Sequence, residues 1–250
     1  MSSNNDSTGA EIQRLRKEIE DFTHIVSHDL NAPIRHVLQF SLLLEQRLSS
    51  REILTQEEQQ FLEIISGAAT RARNMIDALL GLSRSTSSDL NIEPLALNEL
   101  LERVRSALNS EHPEKEIFID YSDFSQTVDA DRASLEIALK AIIDNCVCFC
   151  SDDSPAKISI NIAEHNGHVQ LDILDNGPGI PKKLAERVFQ CFYQIDPDPE
   201  DADHVGIGLT LARRIAHRHN GNLTMEAKKE GADTDQVWPR LSLPLKAKAI

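Results

Sequence analysis

Apolar residues spaced alternately three and four apart run through the first third of this 250-residue chain and then stop. They fall at Ile12, Leu15, Ile19, Phe22 and Val26, and less strictly at Leu30, Val37, Phe40 and Leu44. Such spacing lays them on one stripe of a helix, the seam of a coiled coil. "SSREIL" interrupts the stripe. Thr55 and Glu58 then stand at capping-box spacing, and Phe61, Ile65, Ala68, Ala72, Met75, Leu79 and Leu82 repeat the seam until "SRSTSSD". The pattern predicts a helical hairpin. One hairpin cannot bury both stripes alone, so a homodimer forming a four-helix bundle is its natural completion.

Beyond residue 92 the periodicity changes. "NELLERVRSAL" reads as a helix capped by Asn98, "EIFIDY" as a short strand, and the apolar stretch from about Asp131 to Phe149 as a second helix. In "KISINIAEHNGHVQLDIL", Ile158, Ile160 and Ile162 alternate on one arm and Val169, Leu171 and Ile173 on the other. The Asn-Gly between them predicts a hairpin. A short helix after Pro181, another from about 208 and a last strand ending "LSLPL" complete an α+β domain. The expected organisation is a polar, disordered 1–10, an all-α hairpin over 11–90 and an α+β domain over 91–250.

The totals exclude several classes of function. A net charge of −14 without a basic cluster argues against a nucleic-acid surface. No apolar run approaches the roughly 20 residues of a membrane span, and "MSSNNDSTGAE" lacks the regions of a signal peptide. Three of the four cysteines crowd into "NCVCFC", which is no disulfide framework and reads as reduced thiols in a cytoplasmic protein. A CxCxC could take a soft metal; buried, inert cysteines in an apolar helix are the preferred reading.

Chemistry concentrates in three short stretches. "SHDLNAPI" sets His28 beside Asp29 in the first helix, and the roughly 100° helical step turns His28 away from the Val26 seam toward solvent. Pro33 bends the helix just past it. His24 and His36 read as surface residues, since "HIVSH" lacks the glutamate of a zinc-protease helix. "DNGPGI" follows a strand, and "GIGLTLARRI" opens a helix whose free amides and dipole suit phosphate. Each glycine stretch alone is a weak signal.

Together with Asn145 in "IIDNC" and with "VFQCFY", these stretches resemble, in order and spacing, the N, G1, F and G2 boxes of Bergerat-fold ATPases. "SHDLNAPI" resembles the phospho-accepting H-box of two-component sensor histidine kinases. The resemblance covers about residues 11–245. It implies a dimerisation and histidine-phosphotransfer hairpin followed by an α/β-sandwich ATP-binding domain. It also implies ATP and Mg²⁺ as cofactors, and a response-regulator receiver domain and an upstream or separate sensor as partners. By that analogy His28 attacks the γ-phosphate and Asp29 accepts the imidazole proton. Asp175 takes the adenine amine, Gly177, Gly179 and Ile180 seat the base, Gly206, Gly208 and Leu209 shape the lid, and Asn145 helps hold Mg²⁺.

Some positions depart from the family pattern. Ala141 and Cys148 stand where asparagine and lysine are usual, and Gln194 where an arginine is common. The lid stretch "DPDPEDAD" would repel a triphosphate unless screened. These changes imply weakened nucleotide affinity or slow autophosphorylation, and leave a phosphotransfer-only dimer with a degenerate ATP-binding domain as the alternative. Another ATPase of the same fold is disfavoured by the H-box. Ala32 occupies the position where relatives orient water, which predicts weak phosphatase activity toward the regulator.

Overall fold

Two long helices hold the described part of the N-terminal third. The computed structural model describes residues 30–50, 55–87, 89–125, 127–151, 154–196, 205–227 and 236–245. By internal contacts the chain divides into two units, Met1–Ser88 with Gln194–Val205 and Asp89–Tyr193 with Gly206–Ile250.

In the first unit, α1 covers residues 30–49 and α2 Gln56–Ser87. The capping box forms. Glu58 accepts hydrogen bonds from the Thr55 backbone N–H at 2.9 Å and hydroxyl at 2.7 Å, while Thr55 Oγ1 accepts from the Glu58 N–H at 3.2 Å. Those bonds, the hydroxyl's first, hold the Glu58 carboxyl below its ordinary pKa. The helices make the expected hairpin, but the stripe shielded within one chain lies one residue along from the predicted seam. On α2, Leu62, Ala69 and Ile76 are buried; on α1, Ile34, Leu38, Ser41 and Leu48 are among the less exposed residues. Among the described residues the predicted seam stays largely open, with Phe40 65% and Phe61 55% exposed, and only Leu82 at its end is buried.

The second unit is a two-layer α/β sandwich. Its strands are β1 (Ile92–Ala96), β2 (Ile117–Tyr121), β3 (Thr127–Asp131), β4 (Ala156–His165), β5 (His168–Asp175), β6 (Ile180–Pro181), β7 (Asn222–Ala227) and β8 (Gln236–Pro244). Its helices are α3 (Leu97–Glu111), α4 (Arg132–Phe149) and α5 (Gly208–Arg218), with single 3-10 turns at Lys182–Leu184 and Arg187–Phe189. The main sheet runs β2-β4-β5-β8-β6, with β7 on the other edge of β8; β2 is parallel to β4 and every other pair antiparallel. Alternation along β4 explains the layering: Ile158, Ile160 and Ile162 turn inward, while Lys157, Ser159 and Asn161 face out. Leu97, Leu101, Leu139 and Ile143 supply the helical side of the core, each 1% exposed or less. The predicted hairpin is present, with Asn166 and Gly167 at φ 52° and 75° making its two-residue turn.

Three expectations need correction. Asn98 does not cap α3. The chain passes straight from β1 into the helix at Ala96, and the Asn98 amide instead donates to Asp123 from inside the first turn. The segment after Pro181 is a 3-10 turn, too short for an α-helix. β1, β3 and β7 were not expected: β1 and β3 are five-residue, acid-containing strands that find their pattern only against each other. Asp131 does begin α4 as predicted. Its Oδ1 accepts the Ser134 N–H at 2.8 Å, and its backbone N–H donates to Nε2 of the buried His219 at 3.0 Å.

Candidate functional site

The residues singled out in the α+β domain lie on α4, on the β5–β6 turn and at the start of α5. Asn145 sits half-buried in the penultimate turn of α4. Its neighbour Cys146 is buried, and burial first and then the Asp175 carboxylate hold the Cys146 thiol well above its ordinary pKa. Asp175, the last residue of β5, is therefore beside α4, although 30 residues separate it from Asn145.

Asp175 Oδ1 accepts the N–H of Gly177 at 2.8 Å, folding the chain sharply back after the strand. Gly177 is required there by close approach: a Cβ would stand 2.9 Å from both Asp175 Oδ1 and the Phe149 carbonyl oxygen. Gly179 backs onto Gln236 and Trp238, where a Cβ would meet Gln236 Cβ at 3.1 Å and Trp238 Cζ2 at 3.2 Å. Among the described residues, Gln236 Oε1 and Trp238 Nε1 are buried without a hydrogen-bond partner. Ile180 pairs with Val237 and packs against the core.

The residue that sequence reasoning passed over here is Asn176. Its Oδ1 accepts from Lys157 N–H at 2.8 Å and from the Cys150 thiol at 3.1 Å, and its Nδ2 donates to Pro155 O at 3.1 Å. It thereby pins the turn to the start of β4 and the end of α4. Its place between Asp175 and Gly177 was the available signal.

At the other end, Gly206 has φ 73°, and a Cβ would lie 2.7 Å from the Tyr193 carbonyl oxygen. Its own carbonyl accepts the Phe192 N–H at 2.8 Å. Phe192 itself has φ 63°, a costly conformation for a bulky residue and one that clusters at functional segments. Gly208 opens α5 against α4, its missing Cβ leaving 3.6 Å to Ala141. Leu209 is buried, a core residue as much as a wall of any site. Among the described residues no side chain caps α5 at Ile207, so its first amides keep their donors for an anion. Thr210, also passed over, donates to the Phe189 carbonyl at 2.9 Å and ties the helix to the "VFQCFY" segment. Arg187 stacks on Tyr193 and Arg213 on Phe189.

The donor set fits a nucleotide. A half-buried carboxylate can accept an exocyclic amine, uncapped helix amides can hold phosphate, and the Asn145 amide oxygen can serve a hard cation. Ala141 offers neither charge nor hydrogen bond beside the α5 N-terminus. His28 and Asp29, with His24, lie outside the described residues, as does the acidic stretch 197–204. Ala32 is half-buried on α1.

Comparison with known proteins agrees with this arrangement. Residues 130–246 match the family described as histidine kinase-, DNA gyrase B-, and HSP90-like ATPase. Over 90% of its length the chain is 27% identical to the methanogenesis regulatory histidine kinase FilI of Methanothrix harundinacea, 25% of which it covers. Full-length ShkA in complex with AMPPNP shares the fold, with a TM-score of 0.62 at 21% identity over 92% of this chain and 47% of that one. So does histidine kinase ThkA in complex with response regulator protein TrrA, with a TM-score of 0.61 at 18% identity over 95% and 66%. The helical hairpin followed by an α/β domain is thus a fold that this chain shares with those two histidine kinase structures. The chain spans about a quarter to a half of the curated relatives it matches. Among the described residues, no helix is long and apolar enough to cross a membrane.

Proposed function

We propose that this chain is the ATP-dependent histidine kinase core of a two-component system. The single observation carrying the reading is the meeting of the Asp175–Gly177 turn with the C-terminal end of α4, in a domain whose α5 N-terminus is uncapped. Asp175 would select adenine through its carboxylate, and the α5 amides would hold the phosphates. Mg²⁺, held in part by Asn145, would offset the charge of the transferring phosphoryl. A ring nitrogen of His28 would attack the γ-phosphorus as the bond to ADP breaks, and Asp29 would take the imidazole proton. The phosphoryl would then pass to an aspartate of a response-regulator receiver domain. The exposed apolar stripes of α1 and α2 support a homodimer built through the hairpin, and the domain order supports a sensor upstream or on a separate chain.

Incubation with Mg²⁺ and γ-labelled ATP tests this. The expected result is an acid-labile, base-stable label that is lost in His28→Ala and strongly reduced in Asp175→Asn. Absence of label in the wild type, with acceptance from a donor phosphoprotein, would replace the kinase by a phosphotransfer-only dimer. Ala32 leads us to expect regulator-phosphate decay that this protein barely accelerates; strong acceleration would refute that.

A further inference from the structure

The cluster His112, Asp144 and Cys148 is not used by the reading above. Asp144 and Cys148 are one helical turn apart on the same face of α4, while His112 terminates α3. His112 Nε2 lies 2.7 Å from Asp144 Oδ1, Cys148 Sγ lies 3.9 Å from the same oxygen, and one ligand atom from each residue falls within 4.8 Å of the others. All three side chains are partly exposed, so an ion could reach them.

We propose that these three residues form a binding site for Zn²⁺ or a similar borderline transition metal. Imidazole, thiolate and carboxylate together are a donor set for such ions and a poor one for Mg²⁺ or Ca²⁺, which demand oxygen. Bond lengths of about 2.0–2.3 Å around a tetrahedral ion place donor atoms roughly 3.3–3.6 Å apart. The present separations bracket that range, so sub-ångström to ångström shifts close the site. Two ligands at i and i+4 on one helix are already on one face.

The third is held in place from several sides. His112 N–H donates to Leu108 O at 2.9 Å, Lys115 N–H donates to His112 O at 3.1 Å, and Lys115 Nζ reaches the Cys150 carbonyl at 2.9 Å. One turn before Asp144 on α4, Lys140 pairs with Glu111 at 2.7 Å. On binding, Cys148 releases its thiol proton to solvent. His112 coordinates through neutral Nε2 with its proton on Nδ1, and the His112–Asp144 contact gives way to two metal bonds. Three protein ligands leave the fourth position to water. A simple His112–Asp144 link between helices accounts for two of the residues but not for the thiol one turn along.

The test is titration of the full chain, stripped of metal and kept in a non-thiol reductant, with Co²⁺ as spectroscopic probe. One Co²⁺ per chain should produce a thiolate-to-cobalt charge-transfer band that one equivalent of Zn²⁺ abolishes and excess Mg²⁺ does not. Cys148→Ser should remove the band. His112→Ala, and His112→Gln if the first variant proves unstable by circular dichroism, should weaken binding by more than the roughly 10- to 100-fold lost with an outer-shell partner. Cys191→Ser, at an exposed cysteine, should leave it intact. Absence of the band from the wild type, its persistence in Cys148→Ser, or unchanged affinity in the His112 variants would overturn the proposal.

Discussion

The two units treat their apolar residues in opposite ways. In the sandwich, Leu97, Leu139, Ile143, Val169 and Leu171 show no measurable exposure, and the core closes within one chain. In the hairpin, Phe40, Phe61 and Ile64 are each more than half exposed, and Ile64 reaches 66%. A two-layer sandwich can bury one face of its sheet under its own helices, whereas two helices shield only the stripes they turn toward each other. The sandwich therefore has a self-sufficient core, and the hairpin has a surface suited to another copy of itself.

That contrast can be broken experimentally. Leu139→Ala should have the largest effect, about 2–5 kcal/mol off the sandwich's unfolding free energy in denaturant titration, because it opens a cavity in a closed core. Ile64→Glu should leave that transition alone and instead lower the molecular mass measured by sedimentation; an unchanged mass would remove the case for the dimer. Gly206→Ala comes next, at about 1–3 kcal/mol by thermal unfolding, since it forces a side chain into positive φ against Tyr193. Thr55→Ala should cost about 0.5–2 kcal/mol through loss of the α2 cap, and only in the hairpin's transition. If the hairpin is dimeric, that transition alone should rise with protein concentration.

The smallest effect concerns pH. Burial raises the Asp131 pKa, but hydrogen bonds from the Ser134 N–H and then the Asn91 N–H outweigh it and leave the carboxyl below its ordinary value. A folded value below the unfolded one contributes stability that is complete above the unfolded pKa, about 3.9, and is lost as pH falls through the folded value. Asp131→Asn should therefore narrow the gap between the sandwich's melting temperatures at neutral pH and below about pH 4. An unchanged gap would show that the cap carries no net charge effect.

Much of this was legible along the chain. The capping box at Thr55, the Asn166–Gly167 hairpin and the helix begun by Asp131 each depend on residues a few positions apart, and all three formed as read. β1 and β3 were not legible, because short acidic strands become strands only by pairing with each other. Asn98 misled because a good capping residue counts only at the cap position, and β1 delivers the chain to the helix two residues earlier. The cysteines divide in the same way. Cys146 and Cys150 are buried as their apolar helix suggested, while Cys148 faces partly outward.

Local periodicity and box spacing thus determined the hairpin, the α/β domain and the glycine turns, since each is encoded within about one helical turn or one strand. Tertiary structure alone decided which stripe of each helix is shielded, that Asn176 fastens the glycine turn, and that His112 stands beside Asp144, 32 positions further along the sequence. Those contacts join elements remote in sequence, and only the packing of α3 on α4 and of α4 on the sheet brings them within bonding distance.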